Sequence, residues 1–168
     1  MEVKSYTSNK TNFKELGDIR KKYSCIGCAS GGFDPIHPGH IELLLYSAEY
    51  TRSFGGIFIV LVNADSFLLR KKRYVFMIEE DRRYVVQSIK GVDHAIIYES
   101  ENQLVTEGLE KLRPDFFFNG GDRDLNGINP EEKSLCDKLG INLVFFGAKV
   151  NSSSNLCENF YKKYGELK

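Results

Sequence analysis

Gly31-Gly32-Phe33-Asp34-Pro35-Ile36-His37-Pro38-Gly39-His40 stands between the apolar run Cys25-Ile26-Gly27-Cys28-Ala29 and the stripe Ile41, Leu44, Leu45 and Ala48. That stripe has i, i+3, i+4, i+7 spacing, so the stretch reads as strand, glycine turn and amphipathic helix. The start of such a helix presents free N–H groups and the positive end of the macrodipole, a natural seat for phosphate. Gly31 and Gly32 let backbone approach a ligand closely, and Pro38 suits an early helical position. His37 and His40 flank the positive end, where two imidazoles can donate to phosphoryl oxygens as charge builds on them. The residues point to phosphoryl or nucleotidyl transfer.

On the N-terminal side, residues 1–11 are polar and expected to be loose, while Asn12 to Tyr23 carries Phe13, Leu16 and Ile19 at helical spacing. On the other side, Ile57-Phe58-Ile59-Val60-Leu61-Val62 is a continuous apolar run of the kind buried on both faces of a parallel sheet. Asn63-Ala64-Asp65-Ser66 ends it, and Phe67 to Arg73 adds the basic cluster Arg70, Lys71, Lys72 and Arg73. A helix is expected over Ile78–Lys90, a strand over His94–Tyr98, and a helix through Leu104, Val105, Leu109 and Leu112 that stops before Pro114. A fourth strand, Asp115–Phe118, leads into Asn119-Gly120-Gly121-Asp122-Arg123. Pro130–Leu139 reads as helix, Ile141–Phe146 as the fifth strand, and Asn155–Tyr164 as a last helix behind Ser152-Ser153-Ser154. This βα alternation predicts an α/β fold: a Rossmann-like, doubly wound, five-stranded, mainly parallel sheet with helices on both faces. Ligands of such a sheet lie beyond the C-terminal strand ends, where all the glycine-rich and polar motifs fall.

A length of 168 residues with 42% hydrophobic and 12% aromatic content fits one domain, taken as residues 1–168. Lys+Arg and Asp+Glu cancel at 23 each, so nothing global attracts nucleic acid or a membrane, and an anion site must be local. With no apolar leader or membrane-length stretch, the protein is expected in the cytoplasm. Cys25 and Cys28 form a CxxC that could serve zinc or redox chemistry. There is no second CxxC, and both residues fall in the first strand, which favours buried small hydrophobes.

The GGFDPIHPGH stretch resembles the HxGH signature of the nucleotidyltransferase superfamily. That superfamily includes cytidylyltransferases for alditol phosphates and adenylyltransferases for heptose phosphates, pantetheine phosphate and nicotinamide mononucleotide. The resemblance runs from about Ile19 to Leu156. It implies catalytic roles for His37 and His40, with Gly31, Gly32, Phe33, Asp34 and Gly39 at the nucleotide; Asp34 is left between orienting the turn and assisting Mg²⁺. Val62-Asn63-Ala64-Asp65 resembles the VNSD segment of the heptose-phosphate adenylyltransferases, placing Asn63 and Asp65 near the nucleotide. Lys71 or Lys72 stands where those enzymes have a mobile basic loop. Glu80-Asp81-Arg82 resembles a helix start whose arginine grips phosphate, a bidentate task suited to guanidinium. Asn119, Gly120, Gly121, Asp122 and Arg123 resemble the KGGD segment around base and ribose, and Ser152, Ser153 and Ser154 resemble the ISSS motif at the triphosphate.

The resemblance implies an enzyme that transfers NMP from an NTP to a sugar or alditol phosphate, releasing pyrophosphate. ATP is favoured over CTP, because the 63–65 and 119–123 segments look closer to the heptose branch. Mg²⁺ is expected to arrive mainly on the triphosphate, since the sequence offers no carboxylate cluster. The partners expected are a nucleoside triphosphate, a small phosphorylated acceptor and a second copy in a homodimer. The alternatives are a coenzyme adenylyltransferase, for pantetheine phosphate or nicotinamide mononucleotide, and a non-catalytic nucleotide-binding module.

Overall fold

The computed structural model describes residues 15–100, 104–120, 127–147 and 152–165. Five strands form one sheet: β1 (Ile26–Gly31), β2 (Ile57–Asn63), β3 (His94–Tyr98), β4 (Phe116–Gly120) and β5 (Asn142–Phe146). Their order is β3-β2-β1-β4-β5 and every pairing is parallel. The sheet is therefore wholly rather than mainly parallel, as short βα connections of one hand require. In β2, Phe58 to Val62 are fully buried, the pattern of a strand covered on both faces. Each such side chain contributes roughly 1.5–3 kcal/mol of burial.

The two faces carry different helices. Helices α1 (Leu16–Lys22), α5 (Thr106–Leu112) and α6 (Pro130–Leu139) pack on Ile26, Cys28, Leu61 and Phe117. On the opposite face, α2 (Pro38–Ser53) and α4 (Glu79–Gln87) cover Ala29, Val60, Val62 and Phe118. Helix α2 lies close over β1 because Gly27 has no side chain: a Cβ there would meet Thr51 Oγ1 at 2.0 Å. That approach lays α2 along β1, and its N-terminus overhangs the strand's C-terminal end.

Two helices lie beyond the strand ends, α3 (Asp65–Lys72) and α7 (Ser153–Tyr164). The basic segment after β2 is thus helical, with Phe67 and Leu68 buried beneath the cations and Arg73 closing it in the left-handed region at φ 66°. Helix α7 starts two residues earlier than its sequence suggests, because Ser152 is the N-cap and accepts from the Asn155 N–H at 3.1 Å. Helix α4, ending at Gln87, is shorter than the periodicity predicts, while residues 1–14, with the expected loose segment and the first turn of the leading helix, lie outside the described residues. Cys28 is a core residue of β1 as expected, but Cys25 lies just before the strand and is only half-buried. No helix among the described residues is long and apolar enough to cross a membrane.

Candidate active site

Neighbouring strands β1 and β4 send their connections to opposite faces, β1 into α2 and β4 towards α6, and this divergence opens a crevice at their C-terminal ends. A cavity of about 530 Å³ fills it. Gly31 at the end of β1 and Gly32 just past it, Asn119 and Gly120 from β4, and His37 and His40 at the start of α2 all line it. Ser152, Ser153 and Ser154 bring the N-terminus of α7 to the same space, so two helix starts face one cavity. Ser153 ties them together, its hydroxyl donating to the Pro35 carbonyl at 2.9 Å.

The turn fixes the histidines tightly. His37 is the N-cap of α2, in extended conformation, with Pro38 at the first helical position. Its main-chain N–H donates to His40 Nδ1 at 3.3 Å, and the two rings stack with centroids 3.8 Å apart. The edge of Phe33 packs on His40 at 5.1 Å. Phe33 adopts φ 51° and folds back against the end of β1, where a Cβ on Gly31 would meet its ring at 3.0 Å. Burial lowers the pKa of both imidazoles. For His40 the fall reaches about 4, with the neighbouring His37 and Lys72 charges adding to desolvation. At neutral pH both rings are uncharged. Because His40 Nδ1 accepts from backbone, its proton resides on Nε2, which is a hydrogen-bond donor.

Asp34 and Arg82 hold this turn in place. The Asp34 carboxylate is buried and accepts from the main-chain N–H groups of Phe76 at 3.0 Å and Met77 at 2.7 Å. Lys72 Nζ donates to the Asp34 carbonyl at 2.6 Å and to its carboxylate at 3.4 Å. Of the two roles left open for Asp34, the structure shows the orienting one. Arg82, expected to grip phosphate, is buried and does not line the cavity. Its Nη1 donates to the carbonyls of Gly32 and Asn63 at 2.7 Å each, its Nε to Met77 O at 2.8 Å, and its Nη2 to Asp65 at 2.6 Å. Arg82 therefore clamps β1, β2 and the 73–78 loop together from beneath. Asp65 is its counter-ion and also lies outside the cavity lining. The neighbouring Arg83 is buried as well and faces Glu80 at 3.4 Å.

Lys71 and Lys72 both line the cavity; Lys72 is held by Asp34, while Lys71 lies over the Phe67 ring at 5.7 Å. Asn63, at the end of β2, is nearly buried and accepts from the Ser30 hydroxyl at 3.4 Å. Asn119 is 4% exposed, and among the described residues its Nδ2 has no hydrogen-bond partner. Gly39 also lines the space, whereas Gly121, Asp122 and Arg123 lie outside the described residues. Sequence reasoning missed Glu132, a buried carboxylate on α6 that lines the cavity and accepts from the Val105 N–H at 3.2 Å. Its only signal is a helix start at Asn129-Pro130, where an acidic residue is ordinary. Among the described residues no group of three or more His, Cys, Asp or Glu is placed to hold a metal ion.

A family model described as cytidylyltransferase-like matches residues 28–143, which span the sheet from β1 into β5. The chain belongs to the cytidylyltransferase-like family. It is therefore a nucleotidyltransferase, using a nucleoside triphosphate and a small acceptor. Among its relatives, an FAD synthase of Aciduliprofundum boonei is 35% identical over 128 residues, covering 76% of this chain and 80% of that protein. An FAD synthase of Picrophilus torridus is 30% identical over 141 residues, covering 81% and 96%. The bifunctional protein HldE of Aliarcobacter butzleri is 31% identical over 88% of this chain, which spans only 31% of that longer protein. In structure, the chain is similar to the lipopolysaccharide core biosynthesis protein from Thermoplasma volcanium, with a TM-score of 0.55 and 25% identity over 76% of this chain.

Proposed function

We propose that this cytidylyltransferase-like enzyme is an adenylyltransferase that joins AMP from ATP to a phosphomonoester of coenzyme type, FMN foremost. The observation that carries the transfer is the pair of uncharged imidazoles at the start of α2, opposite the serine-capped start of α7 across one cavity. The acceptor draws support from two relatives named FAD synthase, matched over most of their length. FAD is AMP joined to FMN. The sugar or alditol phosphate expected from sequence becomes the second reading, favoured by the likeness to HldE and to the Thermoplasma protein.

In this reading a phosphate oxygen of the acceptor attacks the α-phosphorus of ATP, the new P–O bond forms, and the bond to the bridging oxygen breaks in line. The electron pair leaves with pyrophosphate. The acceptor phosphate is already ionised at neutral pH, so no protein base is needed. His40 Nε2–H and the free N–H groups of α2 stabilise charge on the α-phosphoryl oxygens, His37 shares that face, and the start of α7 takes the outer phosphates. Lys71, which lines the cavity near the end of α3, is the lysine we assign to the leaving phosphates. Mg²⁺ arriving on the triphosphate would neutralise part of its charge, which fits an Asp34 carboxylate already bonded by protein donors. Pyrophosphate release from ATP or CTP with FMN, heptose phosphate and glycerol phosphate as acceptors tests the reading. Turnover is expected with ATP and FMN, and activity confined to CTP or to the polyol phosphates would overturn it.

A further inference from the structure

The cavity reaches from the histidine face of the sheet to the other face, and the far part is built differently. Along β4, Phe118 and Gly120 look towards α2, where a Cβ on Gly120 would meet Leu43 at 2.8 Å. Phe117 packs instead among the α5 and α6 residues, so Asn119, two positions on, rises on that same side above it. Helix α6 runs back antiparallel to the strands, as a crossover between parallel neighbours must. Cys136 shares the core cluster of Phe117. Glu132, one turn nearer the start of α6, therefore rises beside Asn119 at the strand ends.

The two side chains offer opposite hydrogen-bonding character. Asn119 Nδ2 is a buried donor without a partner among the described residues, a costly state unless something bound in the cavity accepts from it. Glu132 is a buried acceptor, fixed by the N–H of Val105 at the start of α5. Leu104, Val105 and Phe117 line the same part of the cavity and are apolar. A flat ring can lie against such walls, with a carbonyl and an adjacent ring N–H on one edge meeting amide and carboxylate.

Building on the adenylyltransferase reading, we infer that this far pocket holds the acceptor's ring system, with Asn119 donating to a ring carbonyl and Glu132 accepting from the neighbouring N–H, as on the pyrimidine edge of a flavin. Adenine also carries an acceptor beside a donor. In-line attack decides between them: the pyrophosphate departs along the histidine face, so the attacking phosphate and what it is attached to approach from the opposite side. Asn119 and Glu132 are thus specificity residues for the acceptor.

The test uses the full chain with FMN, measuring binding by flavin fluorescence and turnover by pyrophosphate release. Asn119→Ala and Glu132→Gln should each weaken FMN binding and raise its KM by about tenfold, the scale of one hydrogen bond lost in a closed pocket. The KM for ATP should stay within twofold, and Glu132→Gln, which keeps an oxygen for the Val105 N–H, should fold normally. A rise in the ATP KM with FMN binding unchanged would assign the pocket to adenine and overturn the inference. So would unchanged FMN binding in both variants, or a wild-type chain that binds no FMN. Failure of the adenylyltransferase reading is separate: it would show as wild-type chain that binds ATP yet releases no pyrophosphate with any acceptor.

Discussion

The main-chain N–H of His37 donates to Nδ1 of His40 at 3.3 Å, so one histidine of the cavity sets the tautomer of the next. His40, which lines the cavity, thereby keeps its proton on Nε2. His40→Ala should fold like the parent and lose about two to three orders of magnitude in turnover, the scale of one transition-state donor. His40→Asn, which retains an N–H donor on a shorter side chain, should recover part of that loss. Circular dichroism with steady-state rates checks both, and near-normal turnover by folded His40→Ala would exclude the role.

The depressed pKa of His40, about 4, also has a thermodynamic sign. Between the ordinary imidazole pKa of about 6.5 and this value, the unfolded chain takes up a proton that the folded chain refuses. Its contribution to stability is complete above about pH 6.5 and declines as pH falls towards 4. Urea unfolding at pH 7, 5.5 and 4.5 should show that decline, with a smaller slope in His40→Asn. In kinetics, no acidic limb from His40 should appear near pH 6.5.

Arg82 and Lys71 should separate into two kinds of defect. Removing the Arg82 guanidinium leaves the buried carbonyl of Asn63 and those of Gly32 and Met77 without their donor. Arg82→Ala should cost about 3 kcal/mol or more, lowering Tm by roughly 6–12 °C for a domain of this size. Lys71→Ala should leave Tm within a degree or two while raising the ATP KM or lowering kcat at least tenfold. A thermally normal Arg82→Ala would refute the clamp.

Thiol chemistry should follow burial. Cys28 and Cys136 are buried, and burial pushes both thiols up, Cys136 to about 11, so neither offers thiolate at neutral pH. Cys25 and Cys157 are half-buried. With a maleimide under native conditions, mass spectrometry should find label at Cys157 and at Cys25, the latter slowed because burial raises its thiol. Cys28 and Cys136 should react only after unfolding.

The sheet was legible in the sequence because buried parallel strands are written as unbroken apolar runs, Ile57 to Val62 above all, and because the glycine turn announces the strand-to-helix switch. Helix α3 was not: its eight residues end in Arg70-Lys71-Lys72, and a run of cations masks the two buried positions, Phe67 and Leu68, that define its inner face. At the site, position along the chain identified His37, His40 and Asn119, since motifs preserve spacing. What the sequence does not encode locally is direction. Arg82 lies within a motif expected to meet phosphate, yet its side chain turns into the protein and bonds backbone 19 to 50 residues away, and only the structure chooses between the two roles open to Asp34, whose carboxylate bonds the Phe76 and Met77 N–H groups. Glu132 carries the opposite lesson, since only the antiparallel run of α6 brings an unremarkable helix-start acid to the crevice.

The clamp formed by Arg82 has a consequence for how such an enzyme can diverge. Everything it grips lies at the ends of β1 and β2, at the start of α3 or in the loop before α4, the part of the chain that carries the histidines. The walls of the far pocket come from the starts of α5 and α6 and the end of β4, and Arg82 bonds none of them. Drift in residues 104–135 can thus reshape what is accepted while the transfer machinery keeps its geometry. A library confined to Leu104, Val105, Asn119 and Glu132 is accordingly the place to seek new acceptors with the rate of transfer intact.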